Sequence, residues 1–154
     1  MGTHYNGTPE EVRALNVFIK LMRASESVMS RLSRHLSEAD LTPSQFGTLE
    51  ALLHLGPMCQ AELGRKQLRS SGNITMVVDN LEKRGLVLRK REGQDRRYIT
   101  VHLTPRGRRL IGETFPRHLN VIVREMKVLK PGEQKILDSL LRKVGVQGVT
   151  HSKT

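Results

Sequence analysis

One run of the chain changes period twice: SSGNITMVVDNLEKRGLVLRKREGQDRRYITVHLTPRGRRL, from Ser70 to Leu110. Ile74, Val77, Val78 and Leu81 recur at the three- and four-residue spacing of a single helix face. Past Gly85 the period becomes two, and Ile99, Val101 and Leu103 alternate with Tyr98, Thr100 and His102. A helix that must bury one stripe and a hairpin that must bury one face therefore share one small core. With the short helix QAELGRKQL before it across a tight connection, this helix and hairpin make a winged helix-turn-helix.

The exposed sides of both elements are chemically specific. The helix starts on small polar residues, Ser70, Ser71, Gly72 and Asn73, where unpaired N–H groups and the positive end of the helix dipole suit a phosphate. Asn73, Thr75, Met76, Asp79 and Asn80 point away from the apolar stripe, mixing donors, acceptors and a methyl-contacting thioether, as base-edge readout requires. The hairpin carries Arg89, Lys90, Arg91, Arg96 and Arg97 around a Glu-Gly-Gln-Asp tip. A wing of this kind lies along the DNA backbone and places an arginine in the narrow minor groove, with Asp95 orienting Arg97 or a nearby arginine. Taken singly, the helix reads as a surface helix with a polar face, and the hairpin as an edge protected from pairing by its charges. The formal net charge of +11 and pI near 10.5 favour DNA as the common partner.

Composition removes other classes. Aromatic residues make up only 3% of the chain and Trp is missing, which argues against a single-strand binder built on stacking platforms. The single cysteine, Cys59, cannot build an internal disulfide framework and fits a reducing cytoplasm. No apolar run approaches a membrane span, and MGTHYNGTPEE has no signal-peptide core; Gly2 is a weak myristoylation match. The expected setting is cytoplasmic, with no membrane partner.

The remaining chain reads as helices with explicit punctuation. Thr8, Pro9 and Glu11 form one capping box, and Thr42, Pro43 and Gln45 repeat it before a helix that stops at Gly56-Pro57. Leu15, Phe18, Ile19, Met22, Met29, Leu32 and Leu36 keep helical spacing behind the first box. A short helix, QAELGRKQL, precedes the Ser70 helix. Thr104-Pro105 starts a long helix in which Pro116 predicts a kink rather than a stop, and Pro131 starts the last one. The expected fold is mainly α with a small β-hairpin wing, a winged helix-turn-helix plus a helical dimerisation layer. Within one domain this gives an N-terminal dimerisation helix over 1–36, the winged module over 41–104 and C-terminal dimerisation helices over 105–146.

From about Leu41 to Ile111 the chain resembles the MarR family of winged-helix transcriptional regulators. NLEKRGLV, the DRR wing and LTPRG carry the likeness, and SSGNIT is similar to the branch containing OhrR and MhqR. The resemblance implies a homodimer on a pseudo-palindromic duplex, a repressor released by a small molecule or an oxidant. It places the start Ser70–Asn73, with Thr75 and Met76, against bases and phosphates, and Asp95 and Arg97 on the D-x-R wing signature, with Arg97 the minor-groove arginine. Gln67 and Arg69 depart from the aliphatic residues common there, so a different packing of that turn is expected. OhrR-type members use a cysteine near the start of the first helix; ALNVFIKLMRAS has none, so that peroxide chemistry is not inherited.

The resemblance also implies an effector between the dimerisation helices and the winged module. Phe18, Met22, Met29, Phe46 and His54 are the candidates, and their apolar, Met-rich character suits a phenolic, quinone or lipid-like molecule. Plain core packing is the alternative for the same residues. Cys59 has no adjacent basic residue to lower its pKa and reads as a small buried hydrophobe, with a redox switch as the rival role. The six histidines lack metal-ligand spacing, no catalytic constellation emerges, and no cofactor, metal or enzymatic activity is expected. An architectural DNA-binding protein without a ligand is the rival function, distinguishable by its lack of preference for one operator.

Overall fold

The computed structural model describes residues 2–67, 71–91 and 99–146, with Ser71 and Gly72 described by their backbone. Ser70, Asp95, Arg96 and Arg97, and with them the hairpin tip, lie outside the described residues. In order, the elements are α1 (Pro9–Ser37), α2 (Pro43–Leu55), β1 (Met58–Cys59), α3 (Gln60–Lys66), α4 (Ser71–Lys83), β2 (Val87–Arg91), β3 (Ile99–Leu103), α5 (Pro105–Met126) and α6 (Pro131–Val146). They divide into two units, Met1–His118 and Leu119–Thr154, so that α5 is shared between them.

Both capping boxes form. Thr8 Oγ1 accepts from Glu11 N–H at 3.3 Å while Glu11 Oε2 accepts from Thr8 N–H at 2.8 Å. Thr42 and Gln45 repeat the exchange at 3.2 and 3.0 Å. The ends of α1 and α4 are closed alike, by paired backbone bonds from two successive residues just beyond each helix: Leu41 N–H to Leu36 O and Asp40 N–H to Ser37 O, then Leu86 N–H to Leu81 O and Gly85 N–H to Glu82 O. This closure needs a left-handed residue. Gly85 supplies it at φ +68°, whereas α1 uses Asp40 at φ +52°.

The core of the first unit is built on Leu36, Leu49, Leu63, Ile74, Leu81 and Val101, each no more than 1% exposed. Of the stripe expected on α4, Ile74, Val78 and Leu81 are fully buried and Val77 half-buried. The α1 stripe behaves differently. Only Leu32 and Leu36, at its C-terminal end, are buried; Phe18, Met22 and Met29 are exposed.

The wing is one strand larger than its sequence pattern. β1 pairs with β3, giving an antiparallel sheet in the order β1-β3-β2, with Val101 opposite Met58 on one side and Arg89 on the other. A two-residue strand has no period to detect. Its presence makes β3 central, and Thr100, expected on the open face, is buried at 3% exposure with its hydroxyl 2.8 Å from His102 Nε2.

α5 begins where LTPRG predicts, with Gly107 N–H donating to Thr104 Oγ1 at 3.0 Å. A Cβ on Gly107 would lie 1.9 Å from the Leu86 carbonyl oxygen, so only glycine lets this helix approach the strand-entry backbone. α5 runs through Pro116 without stopping. In the second unit Gln134 closes the turn before α6, its amide donating to Met126 and Leu129 carbonyls at 3.0 Å each. α6 has no buried residue; Ile136, Leu137, Leu140, Leu141 and Val144 are exposed. Among the described residues no helix is long and apolar enough to cross a membrane.

Candidate nucleic-acid interface

α4 presents a polar face beside a basic strand. Asn73, Thr75 and Met76 are all exposed, Met76 at 64%, on the first two turns of the helix, where a groove-entering helix makes its base contacts. An open cleft lined by Thr42, Ser44, Gln45, Asn73, Met76 and Asn80 separates this face from the start of α2. Lys90 and Arg91, at the outer end of β2, are exposed. The geometry thus brings Asn73, Thr75, Met76, Lys90 and Arg91 to the surface of one unit, with Ser71 and Gly72 at the start of the same helix.

Asn80 and Asp79, on the same outward set, hold partners from other elements. Asn80 Oδ1 accepts from Gln45 Nε2 at 2.9 Å, and Asp79 Oδ1 accepts from Arg89 Nη2 at 2.6 Å. Gln45 is therefore a joint as well as a cap: its Oε1 caps α2, its Nε2 holds α4, and it is only 9% exposed. Arg84 adds a second joint, donating to the Asp40 carbonyl at 2.7 Å and pairing with the Asp40 carboxylate at 3.4 Å. Sequence spacing showed Gln45 only as a capping-box residue, because its second bond spans 35 residues.

Among the described residues of this face, Arg89 is the most heavily bonded cation. Its Nη1 donates to Glu82, its Nη2 to Asp79, and its Nε to Gln60 Oε1 at 2.7 Å, while its backbone N–H donates to Glu82 Oε1 at 2.9 Å. The side chain is 22% exposed. Gln60 also donates to Thr75 Oγ1 at 3.1 Å.

Gln67 makes a polar contact with α2. Its side-chain amide lies 2.7 Å from the Thr48 hydroxyl, over Gly47, where a Cβ would come within 3.3 Å of that amide group. Arg69 lies outside the described residues.

The effector candidates sit in different surroundings. Phe18, Met22 and Met29 are exposed on α1, His54 is exposed and meets Phe115 edge-on at 4.7 Å, and Phe46 is 8% exposed in the core. Phe46 instead packs on His118 at 4.3 Å, and His118 stacks on His35 at 6.1 Å. Both rings carry a buried nitrogen without a hydrogen bond, His35 Nε2 and His118 Nδ1. Burial lowers the His118 pKa from its ordinary value, and neighbouring His35 lowers it further. No sequence spacing pointed to this cluster of His35, Phe46 and His118, which α1, α2 and α5 assemble. Cys59 is half-buried rather than enclosed, because it sits on β1 at the edge of the sheet, its N–H donating to Glu62 at 3.0 Å. Among the described residues no group of three histidine, cysteine or carboxylate side chains has the placement to hold a metal.

The model of the MarR family matches residues 41–99, from the start of the second helix into β3. The chain is 36% identical to YkoM, an HTH-type transcriptional regulator of Bacillus subtilis, over 89% of its own length and 90% of that protein. It is 35% identical to the B. subtilis HTH-type transcriptional regulator MhqR, over 87% and 92%. Among solved structures it is similar to Bordetella bronchiseptica BpsR, whose DNA binding is regulated by 6-hydroxynicotinic acid. The TM-score is 0.77 at 27% identity, covering 84% of this chain and 98% of that one.

Proposed function

The chain belongs to the MarR family of DNA-binding transcriptional regulators, not enzymes, and on that premise we propose that it is a cytoplasmic homodimeric repressor of one double-stranded, pseudo-palindromic operator. The observation that carries this reading is the exposed Asn73-Thr75-Met76 face of α4 beside exposed Lys90 and Arg91 on β2. α4, led by Ser70, Ser71 and Gly72, enters the major groove, and the wing arginines Arg96 and Arg97, oriented by Asp95, reach the backbone and minor groove. Two copies must present their α4 helices about one helical turn, ~34 Å, apart.

Selecting duplexes from a randomised pool with the purified protein, followed by gel-shift titration, tests this. The expected product is an inverted repeat bound at least ~10³-fold tighter than random DNA. Equal binding of all duplexes would make the protein an architectural one.

A small apolar or phenolic effector that relieves repression is the finer part of the proposal. It is supported by the ligand response of BpsR and by the Phe18-Met22-Met29 stripe, which needs a cover. A thermal-shift screen of phenols, quinones and aromatic acids, repeated with operator present, checks it. An effector raises the melting temperature of the free protein and lowers operator affinity.

A further inference from the structure

We propose that Arg89 is a positioning residue that locks the wing to the recognition helix, rather than a cation that binds phosphate. The inference rests on the DNA-binding reading above. The guanidinium spreads its three nitrogens over three different residues: Glu82 and Asp79 on α4, and Gln60 at the start of α3. Its own backbone N–H returns to Glu82, so one carboxylate holds both ends of the residue. A planar fork with fixed N–H directions does this where a lysine ammonium cannot. With two carboxylates already facing it, the site offers a phosphate no unpaired positive charge. Gln60 carries the connection to the reading face: the amide that accepts from Arg89 Nε donates to Thr75 Oγ1. The orientation of the Thr75 side chain is thereby tied to the position of β2.

Glu82 and Asp79 look unfavourable on a DNA-facing helix, since each repels phosphate. Holding the strut is a role that offsets that repulsion. The two readings of Arg89 therefore differ in sign. If the carboxylates merely restrained a phosphate-binding arginine, removing their charge would release it and tighten binding. If they build a strut, removing their charge loosens the wing and lowers discrimination.

The test measures affinity for the duplex selected by the wild-type protein and for random duplex, across salt, for Arg89→Lys, Glu82→Gln, Asp79→Asn and Gln60→Ala. The expected result is a drop of about tenfold in the operator-to-random ratio for Arg89→Lys and Glu82→Gln, with the salt slope of Arg89→Lys unchanged. The Arg89→Lys, Glu82→Gln double variant is expected to lose no more than either single one. Gln60→Ala is expected to relax preference at the base pairs facing Thr75. In DNA-free protein, amide exchange across β2 is expected to quicken in Arg89→Lys and Glu82→Gln while the melting transition stays cooperative. The proposal is overturned if Arg89→Lys keeps the wild-type ratio, if Glu82→Gln tightens operator binding with the ratio intact, or if β2 exchange does not change. Failure of wild type to select any duplex would count against the regulator reading alone, because the exchange measurement needs no DNA.

Discussion

His118 is 6% exposed, and its charged form has lost water without gaining a partner. Its folded-state pKa lies below the ordinary 6.5, so the unfolded chain binds the proton more readily. The stability contributed is fully present above pH 6.5 and falls as pH drops below it, by up to ~1.4 kcal/mol per pH unit until the folded pKa is reached. Urea melts at about pH 7.5 and about pH 5.5 should show wild type losing more stability than His118→Leu over that interval. Equal losses would mean that other groups carry the acid sensitivity. Asp40 and Gly107 are opposite backbone cases. Asp40→Gly relieves a left-handed aspartate whose carboxylate is 96% exposed, and should raise stability by about 0.5–1 kcal/mol. Gly107→Ala drives a Cβ into the Leu86 carbonyl and should cost roughly 1–3 kcal/mol or more, read in the same melts.

Two elements begin with the same device in different surroundings. The box on α1 is exposed, and among the described residues the Glu11 carboxylate bonds only to Thr8. The box on α2 contains Gln45, which also holds Asn80 on α4. Thr8→Ala should cost the usual ~1 kcal/mol of a lost cap and leave operator binding alone. Gln45→Ala should cost more, because it strands Asn80 and frees the recognition helix, and should weaken operator binding as well. A Gln45→Ala variant with wild-type operator affinity would remove the link between the α2 cap and DNA reading. On the wing, Lys90→Ala should lower affinity for all sequences and reduce the salt slope by about one, whereas Arg97→Ala should lower operator affinity selectively by roughly 1–3 kcal/mol.

At the scale of the molecule, the unburied apolar surface is concentrated on α1 and α6. Phe18 is 59% exposed, Met22 52%, Ile136 62% and Leu140 52%, values foreign to a monomer's finished surface. Sedimentation should give a dimer at micromolar concentration that dissociates only as it unfolds. A double replacement, Leu137→Glu with Leu141→Glu, should yield monomer or unfolded chain and abolish operator binding. A folded wild-type monomer would show that these faces are covered by something other than a second copy.

Local signals were decisive wherever a structure is made by neighbours in the chain. Both capping boxes, the Gly85 stop, the α4 stripe and the Thr104 start of α5 were legible, because each depends on residues a few positions apart. The polar face of α4 was legible for the same reason, since helical period alone sends Asn73, Thr75 and Met76 outward. Tertiary structure decided what depends on distant partners. β1 exists because Met58 and Cys59 find β3, about forty residues away, and that pairing buries Thr100. The guanidinium of Arg89 looked like one more wing charge until α3 and α4 supplied three acceptors. Phe46, placed by its sequence with an effector, is held by His118 from the far end of the chain's first unit. Hydrophobic period fixes which way a side chain points from its own element; only packing decides which group it meets there.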